Sequence, residues 1–100
     1  MSTVKQKLLT IVTEQPLEPL LTDELLQLGA RGLSVVEARG RGRHGVRPST
    51  WGSGNIQLEL IGDEALIQRA LAMLDRYRTD TALTAWVVDV EAWPSEKFVG

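Results

Sequence analysis

In this chain of 100 residues, the side chains with the most chemical potential stand in one run, Arg39-Gly40-Arg41-Gly42-Arg43-His44-Gly45-Val46-Arg47. Arginine presents a planar, permanently charged fork that matches phosphate or carboxylate. Glycine lets the backbone take up positive φ and approach a ligand closely. Gly40 and Gly42 bracket Arg41, and Arg39, Arg43 and Arg47 flank them. The run therefore reads either as an anion-binding loop or as a solvated charged loop, and the residue types leave both open. Trp51, further along the same glycine-rich stretch, reads as a lid, as a partner contact, or as a side chain folded back onto the body.

The remaining candidates are weaker. His44 is the single histidine and the chain has no cysteine. That removes disulfides, thiolate metal sites and a cysteine nucleophile. One imidazole does not make a metal site, so His44 is read as a hydrogen-bond donor or a solvated loop residue. Asp89 and Glu91 could be paired carboxylates, but such residues more often form salt bridges. Glu59 could meet an arginine of a neighbour. Net charge is −2, so the chain is not a generally basic nucleic-acid binder, and any anion affinity must be local. The first residues show no signal-peptide pattern and no apolar run reaches membrane length. A soluble cytoplasmic protein that does not itself span a membrane is the expectation.

The elements that must position these residues follow from hydrophobic patterning. With 43% apolar and 24% charged residues the chain can build a core, and its length suits one domain, 1–100. Lys7–Thr13 is apolar on both sides and predicts a central strand. Pro16–Leu28 predicts a helix, its prolines confined to the first turn and its stripe formed by Leu17, Leu20, Leu21, Leu25 and Leu28. Gly29 follows as a helix stop. Leu33–Arg39 predicts a second strand, and Gly40–Gly54 a long loop without regular structure. Asn55–Ile61 alternates cleanly, with Ile56, Leu58 and Leu60 on one side. Asp63 caps a second helix, with Leu66, Ile67, Ala70, Leu71 and Leu74 buried and an end near Tyr77. Leu83–Val90 predicts the last strand, before a polar tail over 91–100.

The order β-α-β-β-α-β is the split-βαβ, ferredoxin-like arrangement of the α+β class: a four-stranded antiparallel sheet with two helices on one face. Its open face should be polar in a monomer. Here the first, second and last strands offer no polar face, with Thr84, Trp86, Val88 and Val90 lying opposite Leu83, Ala85 and Val87, so burial against other subunits is expected. An RNA-recognition domain would need stacking aromatics on its central strands, and the first and third strands have none.

The run LGARGLSVVEARGRGRHGVR resembles the stretch leading into the T-loop of PII signalling proteins. The matching residues are Gly29, Ala30, Arg31, Gly32, Leu33, Ser34 and Val35, then Gly40-Arg41-Gly42. KLLTIVTE, NIQLELI and VVDVE fit the same framework. Gly40–Gly54 lacks the modifiable tyrosine of the true PII T-loop. Tyr77–Leu83 lacks the glycine- and lysine-rich phosphate grip before the last strand. Gly40, Gly42, Val46 and Arg47 match instead the G-x-G-x-x-x-V-R loop of PII-like proteins of inorganic-carbon metabolism, the SbtB-like and carboxysome-associated branch, and the absence of cysteine favours the latter.

That resemblance implies a non-enzymatic homotrimer binding an adenine nucleotide (AMP, ADP, ATP or cyclic AMP) between subunits, with bicarbonate as a second candidate ligand and no obligatory cofactor. A bicarbonate transporter or carboxysome-related protein would be its partner. It places Gly32, Leu33 and Ser34 against the adenine, and Arg47, helped by Arg43 or Arg41, on the phosphate. Thr84, Ala85, Trp86 and Val87 would line the cleft, and ordering of the loop would be the output. A weak nucleotide hydrolase and a metal-tolerance trimer of similar fold are the alternatives.

Overall fold

The computed structural model describes residues 2–38, 41–42, 45–46 and 54–98, with the backbone alone at 41–42 and 45–46. It contains β1 (Val4–Glu14), α1 (Glu18–Gln27), β2 (Ser34–Ala38), β3 (Arg41–Gly42), β4 (Gly45–Val46), β5 (Asn55–Gly62), α2 (Glu64–Leu74) and β6 (Leu83–Ala92). Four strands form one antiparallel sheet in the order β2-β5-β1-β6. This is the expected ferredoxin-like sheet.

Strands β1 and β6 run further than hydrophobicity alone predicts. Val4, Lys5 and Gln6 pair with Ala92, Glu91 and Val90, so backbone hydrogen bonding carries both strands past their apolar centres. The tail expected over 91–100 accordingly begins later. Glu91 and Ala92 belong to β6, and Ser95–Lys97 form a short 3-10 helix. Within the stretch expected to lack regular structure, Arg41 pairs with Val46 and Gly42 with Gly45. Such pairing is made by backbone and leaves no apolar alternation to read.

The first helix divides at its prolines. Pro16 lies in a 3-10 turn, Gln15–Leu17, and Pro19 in the first turn of α1, both where a missing N–H costs nothing. Leu21 and Leu25 are fully buried, but Leu20 is exposed. It stands one residue, about 100° of helix, off the stripe. α1 ends in a Schellman motif: Ala30 N–H donates to the Leu25 carbonyl and Gly29 N–H to that of Leu26, each at 3.1 Å. Gly29 has φ 112°, in the region that favours glycine.

In α2 the Asp63 carboxylate accepts from the Leu66 N–H at 2.8 Å, a side-chain N-cap. Leu66, Ile67, Ala70, Met73 and Leu74 are its buried residues. Met73 takes the place expected for Leu71, which is only partly buried, because the stripe repeats every three to four residues and Leu71 falls at its edge. The helix ends at Leu74, and Tyr77 lies in the turns that follow.

Both helices pack on the face carrying Leu9, Ile11, Ile56, Leu58 and Leu60, and these form one core. The opposite face carries Leu8, Thr10 and Val12 of β1, which pair in register with Val88, Trp86 and Thr84 of β6. Among the described residues no helix is long and apolar enough to cross a membrane.

Candidate functional site

Where the chain leaves the Schellman turn it runs through Arg31, Gly32 and Leu33 before entering β2 at Ser34. This passage forms one wall of a cleft of about 520 Å³, whose other walls are Leu8 of β1, Glu59–Ile61 of β5, and Lys97 and Phe98. A Cβ on Gly32 would meet nothing within 4 Å, so the glycine leaves room beside the backbone on an open side. Leu33 packs against the core. Ser34 is paired with Glu59 in register, and the Glu59 carboxylate accepts from the Thr10 hydroxyl at 3.4 Å. Arg31 Nη1 donates to the Lys97 carbonyl at 3.0 Å. The cleft thus joins apolar side chains to a hydroxyl, a carboxylate and two cations. Such a lining suits a flat, mostly apolar ring that carries an anionic group.

Of the expected site residues, Gly32, Leu33 and Ser34 lie together here. Thr84, Ala85, Trp86 and Val87 do not. They belong to β6, at the far edge of the sheet from β2. Ala85 and Val87 pack against the core, while Trp86 is exposed on the open face. Arg41, Gly42 and Val46 fall in β3 and β4. Gly40, Arg43 and Arg47 lie outside the described residues, as do His44 and Trp51.

A second cleft, of about 610 Å³, lies between the β1 and β6 ends and the start of α2. Its charges are largely paired. Lys7 Nζ stands 2.6 Å from Asp89 and 3.8 Å from Glu64, and Thr3 donates to Glu91 at 2.9 Å. The hydrogen bond from Lys7 holds the Asp89 carboxyl below the usual carboxylate range, and the same bond raises the lysine. Asp89 and Glu91 therefore have structural partners, and the salt bridge is to lysine. Among the described residues no group of three or more His, Cys, Asp or Glu side chains is placed to hold a metal ion.

Sequence reasoning missed Arg31, Lys97 and Phe98 as cleft residues. Arg31 stands between Gly29 and Gly32, but the denser arginine run after Ala38 is the stronger anion signal. Phe98, the one phenylalanine of the chain, stands in the tail, and an aromatic ring there was the available signal.

Comparison with known proteins places the chain. The family described as Nitrogen regulatory protein P-II matches residues 6–94. A PII-like signalling protein from Thermus thermophilus is 38% identical, with 99% of this chain and 100% of that one covered and a TM-score of 0.84. CPII from Thiomonas intermedia, bound to ADP and bicarbonate, is 22% identical with 97% of each chain covered and a TM-score of 0.85. The same protein bound to ADP, AMP and bicarbonate gives a TM-score of 0.81 at 22% identity, over 92% of this chain and 99% of its own. No curated protein matches the chain. The family match over most of the length, the 38% identity to a PII-like protein and the shared fold give one result: this chain belongs to the P-II family and is a PII-like signalling protein.

Proposed function

We propose that the chain is a regulatory sensor of adenine nucleotides that works as a homotrimer, with its ligand held between subunits and bicarbonate as a second candidate ligand. The family is a regulatory one, and the chain is assigned no reaction. One observation carries the proposal. Gly32–Ser34 lead into β2 and Thr84–Val87 belong to β6, the two edge strands of one sheet, and the face between those edges exposes Val36, Trp86 and Val88. A ligand touching both sets needs a second copy of the chain, and the apolar face offers the surface on which copies meet. CPII, whose fold is the same, binds ADP and bicarbonate.

In this reading the backbone beside Gly32 and the Ser34 hydroxyl face the adenine. Arg47, with Arg43 or Arg41, holds the phosphate through charge-assisted hydrogen bonds. A cytoplasmic partner concerned with inorganic carbon, such as a bicarbonate transporter or a carboxysome-related protein, completes the proposal. A calorimetric screen of AMP, ADP, ATP and cyclic AMP, with and without bicarbonate, tests it. Saturable heat with at least one nucleotide and no product in the same tubes is the expected result. Steady product formation would make the chain a hydrolase, and no heat with any nucleotide would overturn the reading.

A further inference from the structure

At the end of β1 a side chain makes a bond that the backbone has given up. The last pair between β1 and β5 is Glu14 with Asn55. One step further, Gln15 N–H donates to the Gly54 carbonyl at 2.9 Å. In an antiparallel ladder such a pair exchanges two bonds, so the Gly54 N–H would return to the Gln15 carbonyl. That carbonyl is already engaged. At Pro16 the chain turns into the 3-10 helix Gln15–Leu17, and the Glu18 N–H donates to Gln15. The Gly54 N–H goes instead to Gln15 Oε1, at 3.1 Å.

We propose that Gln15 is a positioning residue for the arginine run: its side chain fixes the point at which the loop after β2 returns to the sheet, and so helps deliver the run to a ligand phosphate. The delivery rests on the nucleotide reading above; the hold on Gly54 does not.

The amide oxygen of glutamine accepts as a peptide carbonyl does, so Gln15 serves two structures at once. Its backbone opens the turn into α1, and its side chain closes the sheet. The ends of the loop make this position matter. β2 ends at Ala38, which pairs with Asn55. Residues 39–53, which hold Arg39, Arg41, Arg43 and Arg47, therefore leave the sheet beside Asn55 and return at its neighbour Gly54. The departing end is held by the β2–β5 ladder. The returning end is held by the two bonds to Gln15, one of backbone and one of side chain. Gly54 is exposed and a Cβ there would meet nothing within 4 Å, so packing contributes little to its position. A loop end fixed before the ligand arrives has less freedom to lose on binding, which raises affinity without a new contact. The gain falls on ligands that the arginines grip, those with phosphate, and not on adenosine.

Two variants of the full chain separate the parts. Gln15→Met keeps the length of the side chain without the acceptor, and Gln15→Glu keeps an acceptor oxygen. Amide exchange at Gly54, followed by NMR without ligand, should be about three- to tenfold faster in Gln15→Met, the loss of one exposed hydrogen bond, and near wild type in Gln15→Glu. In calorimetry Gln15→Met should weaken ADP about two- to tenfold and leave adenosine unchanged, while Gln15→Glu keeps most of the ADP affinity. Equal exchange at Gly54 in wild type and Gln15→Met would overturn the hold. Faster exchange with unchanged ADP affinity would overturn the delivery alone, and so would an equal loss for ADP and adenosine, which marks a general loosening of the cleft. If ADP does not bind the wild type at all, the nucleotide reading fails and the delivery with it, while exchange at Gly54 still decides the hold.

Discussion

The two faces of the sheet both carry apolar residues and meet different surroundings. On the helix side Leu9, Ile11 and Leu58 are fully buried. On the other side, on the same or neighbouring strands, Trp86 is 47% exposed, Val88 46% and Val36 53%. Strand β1 is apolar in both directions, but the helices cover only one. A single copy therefore accounts for half of the hydrophobic pattern. The other half leaves Trp86, Val88 and Val36 exposed, and exposed apolar surface of this kind marks an interaction site.

The sharpest way to separate the faces is one substitution on each. Leu58→Ala should lower stability by about 2–5 kcal/mol, through lost burial and the cavity left behind, measured by denaturant unfolding. Val88→Asp, on the open face, should instead break up the assembly, read as mass by light scattering. If the open face were ordinary surface, Val88→Asp would shift stability by no more than about 0.5 kcal/mol and leave the mass unchanged.

The next effect belongs to the proposed phosphate contact. Arg47→Ala should weaken AMP and ADP by about 1.5–3 kcal/mol, roughly ten- to over a hundredfold. Arg47→Lys should recover part of this. Adenosine, which has no phosphate, should bind both forms equally. An equal loss for adenosine and AMP would mean that the arginine shapes the cleft and does not hold phosphate.

On the covered side, Gly29→Ala forces a Cβ into a left-handed backbone where α1 turns toward Gly32. It should cost about 1–2 kcal/mol of stability, measured by thermal unfolding. No change would mean that the turn relaxes to another shape.

The smallest expected effect lies at the rim of the covered face, at the pair Lys7–Asp89. Asp89 is held low by Lys7, so its contribution is present at neutral pH and fades as pH falls through its folded value. Lys7 is held high, so its contribution is present below the ordinary lysine value and is lost as pH rises through the raised one. Asp89→Asn should lower the Tm slightly at neutral pH and make no difference in strong acid. A difference constant across pH would assign the loss to packing.

Much of the fold was legible because its signals are local. The alternation of Ile56, Leu58 and Leu60, the Asp63 cap and the Gly29 stop each follow from a few neighbouring residues, and each stands where expected. The misses have non-local causes. β1 and β6 extend past their apolar centres because each is the other's hydrogen-bond partner. Leu20 and Leu71 sit one step off their stripes, where the helix phase set by packing decides. In the site, Gly32, Leu33 and Ser34 were legible from their motif. The cleft wall made by Lys97 and Phe98 was not, since only the folded chain brings them to the cleft that Arg31 lines. The separation of Thr84–Val87 from Gly32–Ser34 likewise depends on strand order, which no short run of residues records.

Native mass spectrometry with and without ADP tests the central claim, an adenine-nucleotide site completed by more than one copy. The chain of 11.0 kDa should appear at three times its own mass and take up as many as one ADP per chain, with no ADP on any single-chain species. A single chain that carries ADP, or a trimer that takes up none, would contradict it.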